Sequence, residues 1–175
     1  MLQKVDFSEN SQLRIIGDFA FHSTGLKRVV IPSHVILIGR NSFHYCRSLE
    51  EVEFAKDSEL RMIGDSAFSV STLKRIKIPS HVIIIDEQAF QDCEFESFSF
   101  EENSELEYIG TKSFAYNSFE SFTIPSNVIQ TNESAFEYCK NLVNVVFSNS
   151  KIKSIPSLFL ISAITLLKND MMIFY

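Results

Sequence analysis

The chain has 175 residues, a formal net charge of −6, 45% hydrophobic and 22% charged residues. There is enough apolar material to offset chain entropy, so whole-chain disorder is excluded, as are collagen-like and coiled-coil readings, with only 5 Gly and no sustained heptads. The acidic balance excludes non-specific nucleic-acid binding through a basic surface.

Taken in chain order, the first predicted strand is Leu2-Gln3-Lys4-Val5-Asp6-Phe7, and further strands start at Leu26, Leu49, Leu73, Phe95, Phe119 and Leu142. The steps are 24, 23, 24, 22, 24 and 23 residues, which is the signature of a repeat architecture. Ile-Pro-Ser recurs at Ile31-Pro32-Ser33, Ile78-Pro79-Ser80 and Ile124-Pro125-Ser126. The coils between them end their strands in Phe7, Phe54, Phe100 and Phe147 instead. Two flavours of a single coil therefore alternate.

Within each strand the apolar positions are those of one buried face: Leu26, Val29 and Ile31, then Leu49, Val52 and Phe54, then Leu73, Ile76 and Ile78. A second segment follows, running from Ile16 to Phe21, Ile38 to Phe43, Ile63 to Phe68, Ile85 to Phe90, Ile109 to Phe114 and Thr131 to Phe136, always five residues apart. Stacked coils would align these six Phe as one ladder, which accounts for much of the 17 Phe in a chain without Trp. The residue after the first of each pair is Gly17, Gly39, Gly64, Asp86, Gly110 or Asn132. These types tolerate positive φ, so the column predicts a left-handed turn. Ile155-Pro156 breaks it and predicts that the solenoid changes or stops there, because Pro cannot take positive φ.

The strand faces carry Lys27-Arg28, Glu50-Glu51, Lys74-Arg75 and then Glu96, with Glu53 expected beside Lys77. Opposite charges alternate between neighbouring parallel strands, which favours that pairing. From Phe95 onward the face loses its charge, and Ser97, Ser99, Ser121, Thr123, Val143, Asn144 and Val146 are the expected protein-binding surface.

The unit Leu-x-x-Val-x-Ile-Pro-Ser-x-Val-x-x-Ile-Gly-x-x-Ala-Phe-x-x-Cys resembles the BspA-like, Treponema-type leucine-rich repeats, with Leu73 to Phe90 the cleanest copy. The resemblance covers Leu2 to about Leu160. It implies an α/β-type leucine-rich-repeat horseshoe of about seven coils over residues 1–160, with one parallel sheet face and short strands or helical turns on the other. Residues 161–175 would be an apolar tail or improvised cap. It further implies a non-enzymatic, cell-surface or secreted interaction protein with an adhesin-like role and a protein ligand, with no catalytic residues to carry over.

Cys46, Cys93 and Cys139 occupy one column, three residues after a ladder Phe. Alternate coils lie roughly 10 Å apart, beyond the reach of a disulfide, so the column predicts three free buried thiols. His34 and His81 are likewise two coils apart; His22 and His44, in adjacent coils, could stack but lack a third metal ligand. The acidic turns Ser8-Glu9-Asn10, Lys56 to Glu59 and Glu101 to Glu105 lack an Asp-x-Asp-x-Asp-Gly loop and read as solvated turns. No nucleophile elbow, phosphate loop or zinc-protease motif is present, and no cofactor or metal is expected.

Met1 to Asp6 lacks a basic head followed by an apolar run, so a cytoplasmic location stands as the alternative to the surface. The apolar run Leu158 to Leu167 is about half of the roughly 20 residues that a membrane span needs. The competing function is an intracellular structural or regulatory module, or a truncated paralogue, that self-associates through uncapped ends.

Overall fold

Each coil contributes two extended stretches, because each contains two short apolar runs separated by turn-forming residues. In the computed structural model, described over residues 1–148 except Glu9 and Glu96, and again at 151–154 and 156, these stretches form twelve strands numbered β1 to β12 in chain order. Six are two residues long: β1 (Ile15–Ile16), β3 (Leu37–Ile38), β5 (Met62–Ile63), β7 (Ile84–Ile85), β9 (Tyr108–Ile109) and β11 (Gln130–Thr131). Six are four residues long: β2 (Arg28–Ile31), β4 (Glu51–Phe54), β6 (Arg75–Ile78), β8 (Ser97–Phe100), β10 (Ser121–Ile124) and β12 (Asn144–Phe147). All pairings are parallel and join coil to coil, so the chain is a parallel β-solenoid of about six turns.

The expected helical turns are not formed among the described residues, where the second flank is the sheet of two-residue strands, ordered β1-β3-β5-β7-β9-β11. The expected seventh coil is also incomplete. Leu2 to Phe7 forms no strand; its carbonyl at Leu2 accepts a hydrogen bond from the Gly25 N–H at 2.8 Å, and Val5 and Phe7 only partly bury themselves on the core. The region 161–175 and Ile155 lie outside the described residues, so the expected tail and stop fall there too.

The core runs along the axis between the two flanks. Phe21, Phe43, Phe68, Phe90, Phe114 and Phe136 form the predicted ladder, with successive ring centroids 5.1, 5.1, 5.4, 5.7 and 5.4 Å apart and planes within 13° of parallel. Stacked rings at this spacing match the repeat of the coils, so one residue type serves every layer.

Three of the four glycines in the column, Gly39, Gly64 and Gly110, serve a different purpose from the one predicted, while Gly17 has open space around it. Every glycine has negative φ. Positive φ falls two residues later, at Phe19, Asn41, Ser66, Gln88, Lys112 and Ser134, and six residues later, at Ser23, Tyr45, Val70, Asp92, Tyr116 and Tyr138. What Gly39, Gly64 and Gly110 permit is close approach between coils. A Cβ at Gly39 would lie 2.9 Å from the Asp18 nitrogen, and one at Gly110 would lie 2.5 Å from the Asp86 carbonyl carbon. A single sequence shows which column is small but not which neighbour crowds it.

The column of Cys46, Cys93 and Cys139 closes the turn after the ladder. Each thiol donates to the carbonyl of the previous coil's ladder residue: Cys46 to Phe21 (3.1 Å), Cys93 to Phe68 (3.4 Å) and Cys139 to Phe114 (3.2 Å). Asn117, in the same column, donates through Nδ2 to Phe90 (2.8 Å) and Phe114 (2.9 Å), while its Oδ1 accepts from the Cys93 N–H (3.2 Å). These side chains satisfy buried backbone groups that a short two-residue strand leaves over.

Candidate protein-binding face

Outward positions on the four-residue strands alternate with buried ones, so each strand presents two side chains to solvent. In register, Arg28 stands beside Glu51, Glu51 beside Arg75, and Arg75 beside Ser97; the second row contains Val30 beside Glu53 and Lys77 beside Ser99. Arg28 reaches Glu51 (3.2 Å) and, more tightly, Glu53 (2.6 Å), and Lys74 reaches Glu50 (3.7 Å). Hydrogen bonding to Glu53 raises the Arg28 pKa further. The predicted charge alternation is thus present, except that Glu53 is taken by Arg28 from the preceding strand. These pairs are largely exposed, so they set register and surface potential more than stability.

The uncharged residues occupy the C-terminal continuation of the same rows. Ser97, Ser99, Ser121, Thr123, Asn144 and Val146 are exposed on β8, β10 and β12, with Ser121 beside Asn144 and Thr123 beside Val146. Val143 lies just before β12 and is 66% exposed. The structure does not join them into one surface. The long-strand sheet divides into β2-β4-β6-β8 and β10-β12, and β8 and β10 are not hydrogen-bonded neighbours. A cleft of about 470 Å³ opens at this division, lined by residues of both strands and of the turns that follow them.

Its inner wall includes Phe98 and Phe122, which sequence reading did not single out, and Phe100, read there only as a strand end; Phe95 and Phe119 pack nearby. Phe98 stacks on Phe122 at 5.4 Å, Phe95 on Phe119 at 5.7 Å, and Phe100 meets Phe122 edge-on at 6.0 Å. Hydrogen-bonded parallel strands lie only about 4.8 Å apart. Stacking at these distances does not by itself part strands, since Phe90 and Phe114 lie 5.7 Å apart across the paired β7 and β9; what sets β8 and β10 apart is that Phe fills inward strand positions 98 and 122 in both coils. The run of Phe at 95, 98, 100, 119 and 122 marks these coils as aromatic in the sequence but does not indicate that their strands part.

Elsewhere the chemistry is that of a scaffold. Burial pushes the Cys93 and Cys139 thiols up to about 12 and raises Cys46 as well, so all three are poor nucleophiles. The His22 and His44 rings lie 5.4 Å apart; His44 Nδ1 meets the Ser69 carbonyl at 3.0 Å, and burial lowers its pKa. Among the described residues no group of three or more His, Cys, Asp or Glu is placed to hold a metal, and no helix is long and apolar enough to cross a membrane. Two of the acidic turns are tied to earlier coils: Glu59 pairs with Arg14 two coils before it (3.2 Å), and Glu105 pairs with Arg61 two coils before it (2.7 Å) and with His81 in the adjacent coil (2.9 Å). The His81 hydrogen bond holds the Glu105 carboxyl below its ordinary range.

Six copies of the BspA-type leucine-rich repeat region match the chain, over residues 1–94 and 61–169. The chain belongs to this repeat family. Among solved structures, the leucine-rich repeats align with the pneumococcal vaccine antigen PcpA at 27% identity and a TM-score of 0.65, over 72% of this chain and 31% of that one. A leucine-rich cell surface protein from Faecalibacterium prausnitzii A2-165 shares the fold at 23% identity and a TM-score of 0.52, over 83% of this chain and 45% of that one. The chain thus spans less than half the length of either. No curated protein matches it.

Proposed function

We infer that this leucine-rich-repeat chain is a non-enzymatic protein-recognition scaffold with an adhesin-like role at the cell surface. Its contact surface is the uncharged part of the long-strand face: Ser97, Ser99, Ser121, Thr123, Val143, Asn144 and Val146. The carrying observation is the change along one face, from ion pairs that join Arg28 on β2 to Glu51 and Glu53 on β4, and Lys74 to Glu50 just before β6 and β4, to hydroxyls, an amide and exposed valines on or next to β8, β10 and β12. Removing uncharged surface from water costs less than desolvating paired ions, so this half is the better contact. The similarity to a leucine-rich cell surface protein supports the location.

The test is affinity for a partner isolated on the immobilised chain. Ser99→Glu and Thr123→Lys should weaken it at least tenfold while the melting temperature stays within a few degrees, as expected for exposed sites. Unchanged affinity in both would remove the face from the function. Antibody labelling of intact against permeabilised cells addresses the location: labelling confined to permeabilised cells would overturn the surface role.

A further inference from the structure

The division between β8 and β10 shows at the surface as a shallow cleft. The two strands belong to consecutive coils, and Phe98 and Phe122 stack across the division at 5.4 Å, so nothing passes between them. The cleft lies over those rings. It measures about 470 Å³, within the range of roughly 300–1,000 Å³ typical of small-ligand sites.

Its floor is aromatic and partly uncovered. From β2 to β10 the second residue of each long strand points inward, and there Val29, Val52, Ile76 and Phe122 are at most 5% exposed. Phe98, at the same position, is only half-buried, and so is Phe100 two residues on. Both line the cleft, so ring surface of the core's own row meets solvent here. The rim is polar and nearly uncharged. Ser99, Ser121, Thr123 and Ser126 bring hydroxyls, and Asn103 brings an amide. Glu101 is the one charged residue in the lining, and its Oε2 accepts from the Ser80 N–H (3.0 Å), which anchors the carboxylate on the β6 side. Among the described residues no Lys, Arg or His lines the cleft.

This composition selects a ligand class. An apolar guest would leave the rim hydroxyls and amide without partners. An anion would meet a carboxylate and no cation. A guest with one apolar face and a fringe of neutral donors and acceptors suits both floor and rim. A pyranose with equatorial hydroxyls is such a molecule: its axial C–H groups pack on aromatic surface, and each hydroxyl both donates and accepts. We propose that this cleft binds a neutral hexopyranose, seated on Phe98 and Phe100 and hydrogen-bonded by Ser99, Asn103, Ser121 and Thr123. The proposal goes beyond the protein-recognition reading above, because it needs only the cleft; the sugar is either free or carried on a partner protein.

The experiment titrates the ¹⁵N-labelled full chain with methyl β-D-glucopyranoside and, separately, with the corresponding glucuronide. The glucoside should shift the amides of Ser99, Asn103, Ser121 and Thr123 saturably in the millimolar range, and saturation of aromatic ring protons should transfer to its C–H protons. The glucuronide, repelled by Glu101, should bind about threefold more weakly. Thr123→Val removes one rim hydroxyl at an exposed site and should weaken glucoside binding roughly three- to tenfold, and Phe98→Leu should weaken it about fivefold. If Phe98→Leu unfolds the chain, Thr123→Val and Ser99→Ala, both at exposed positions, decide alone. No saturable shift up to about 50 mM glucoside, unchanged binding in both rim variants, or equal binding of the glucuronide would overturn the proposal.

Ser97→Lys and Asn144→Lys separate the sugar site from the protein-contact reading, because both lie on the face but outside the cleft lining. If they abolish binding of the isolated partner while the glucoside leaves the cleft amides unmoved, the face stands and the sugar site is wrong. If the glucoside binds the cleft while both variants leave the partner's affinity unchanged, the sugar site stands and the wider face is wrong. Loss of partner binding after enzymatic deglycosylation of the partner would place the sugar on that protein, and retained binding would make it a free ligand.

Discussion

The two flanks of the solenoid are built from the same repeats, yet one is continuous and the other is not. The short-strand flank pairs without interruption from β1 to β11. The long-strand flank divides between β8 and β10. Each layer of the continuous flank is supported by one ring of the ladder and by one polar or thiol side chain from the Cys46 column, so every coil sits in nearly the same environment. Inward positions on the divided flank vary instead, from Val29 and Ile31 to Phe98 and Phe100. Uniform packing accompanies unbroken pairing, and the break falls where Phe replaces Val and Ile at the inward strand positions of two adjacent coils.

The largest effect should come from breaking the uniform flank. Phe90 is fully buried and stacked on Phe68 and Phe114, so Phe90→Ala should cost about 3–5 kcal/mol in urea unfolding through the cavity it leaves. A cost below about 1 kcal/mol would mean that the ladder is not a packed core. On the divided flank, Phe122→Leu should cost less, about 1 kcal/mol, and should let β8 and β10 approach. Hydrogen exchange at Ser121 and Thr123 should then slow toward the level of Val52. Unchanged exchange would show that ring volume is not what parts the strands. The smallest effect should have the opposite sign. Ser42 and Ser113 occupy the column filled by Ala67, Ala89 and Ala135, are fully buried, and have hydroxyls with no hydrogen-bond partner. Ser113→Ala removes a desolvated polar atom and should be neutral or stabilising by up to about 1 kcal/mol. A loss of stability in thermal denaturation would reveal a partner for that hydroxyl.

The sheet face was partly legible in advance. Strand positions, the opposite charges of Arg28 and Glu51, and the outward placement of Ser99 and Thr123 all follow from a strict repeat, because alternation and register carry over from coil to coil. The division of that face was not legible. The charge pattern says nothing of strand separation, and Phe at 98 and 122 looks equivalent to Val at other coils until the rings are stacked.

What the sequence determined by itself is whatever repeats: the coil length, the ladder from Phe21 to Phe136, the buried thiol column and the alternation of charge. A repeated position meets the same position of the next coil, so one rule serves all layers. What only the tertiary structure decided is whatever depends on a distance between coils. Gly39 and Gly110 are small because a neighbouring backbone lies against them and not because their φ is positive. Asn117 stands among cysteines because two carbonyls converge on its amide. The break between β8 and β10 is visible only once the strands are placed, where Phe98 and Phe122 stack at the inward positions of adjacent coils.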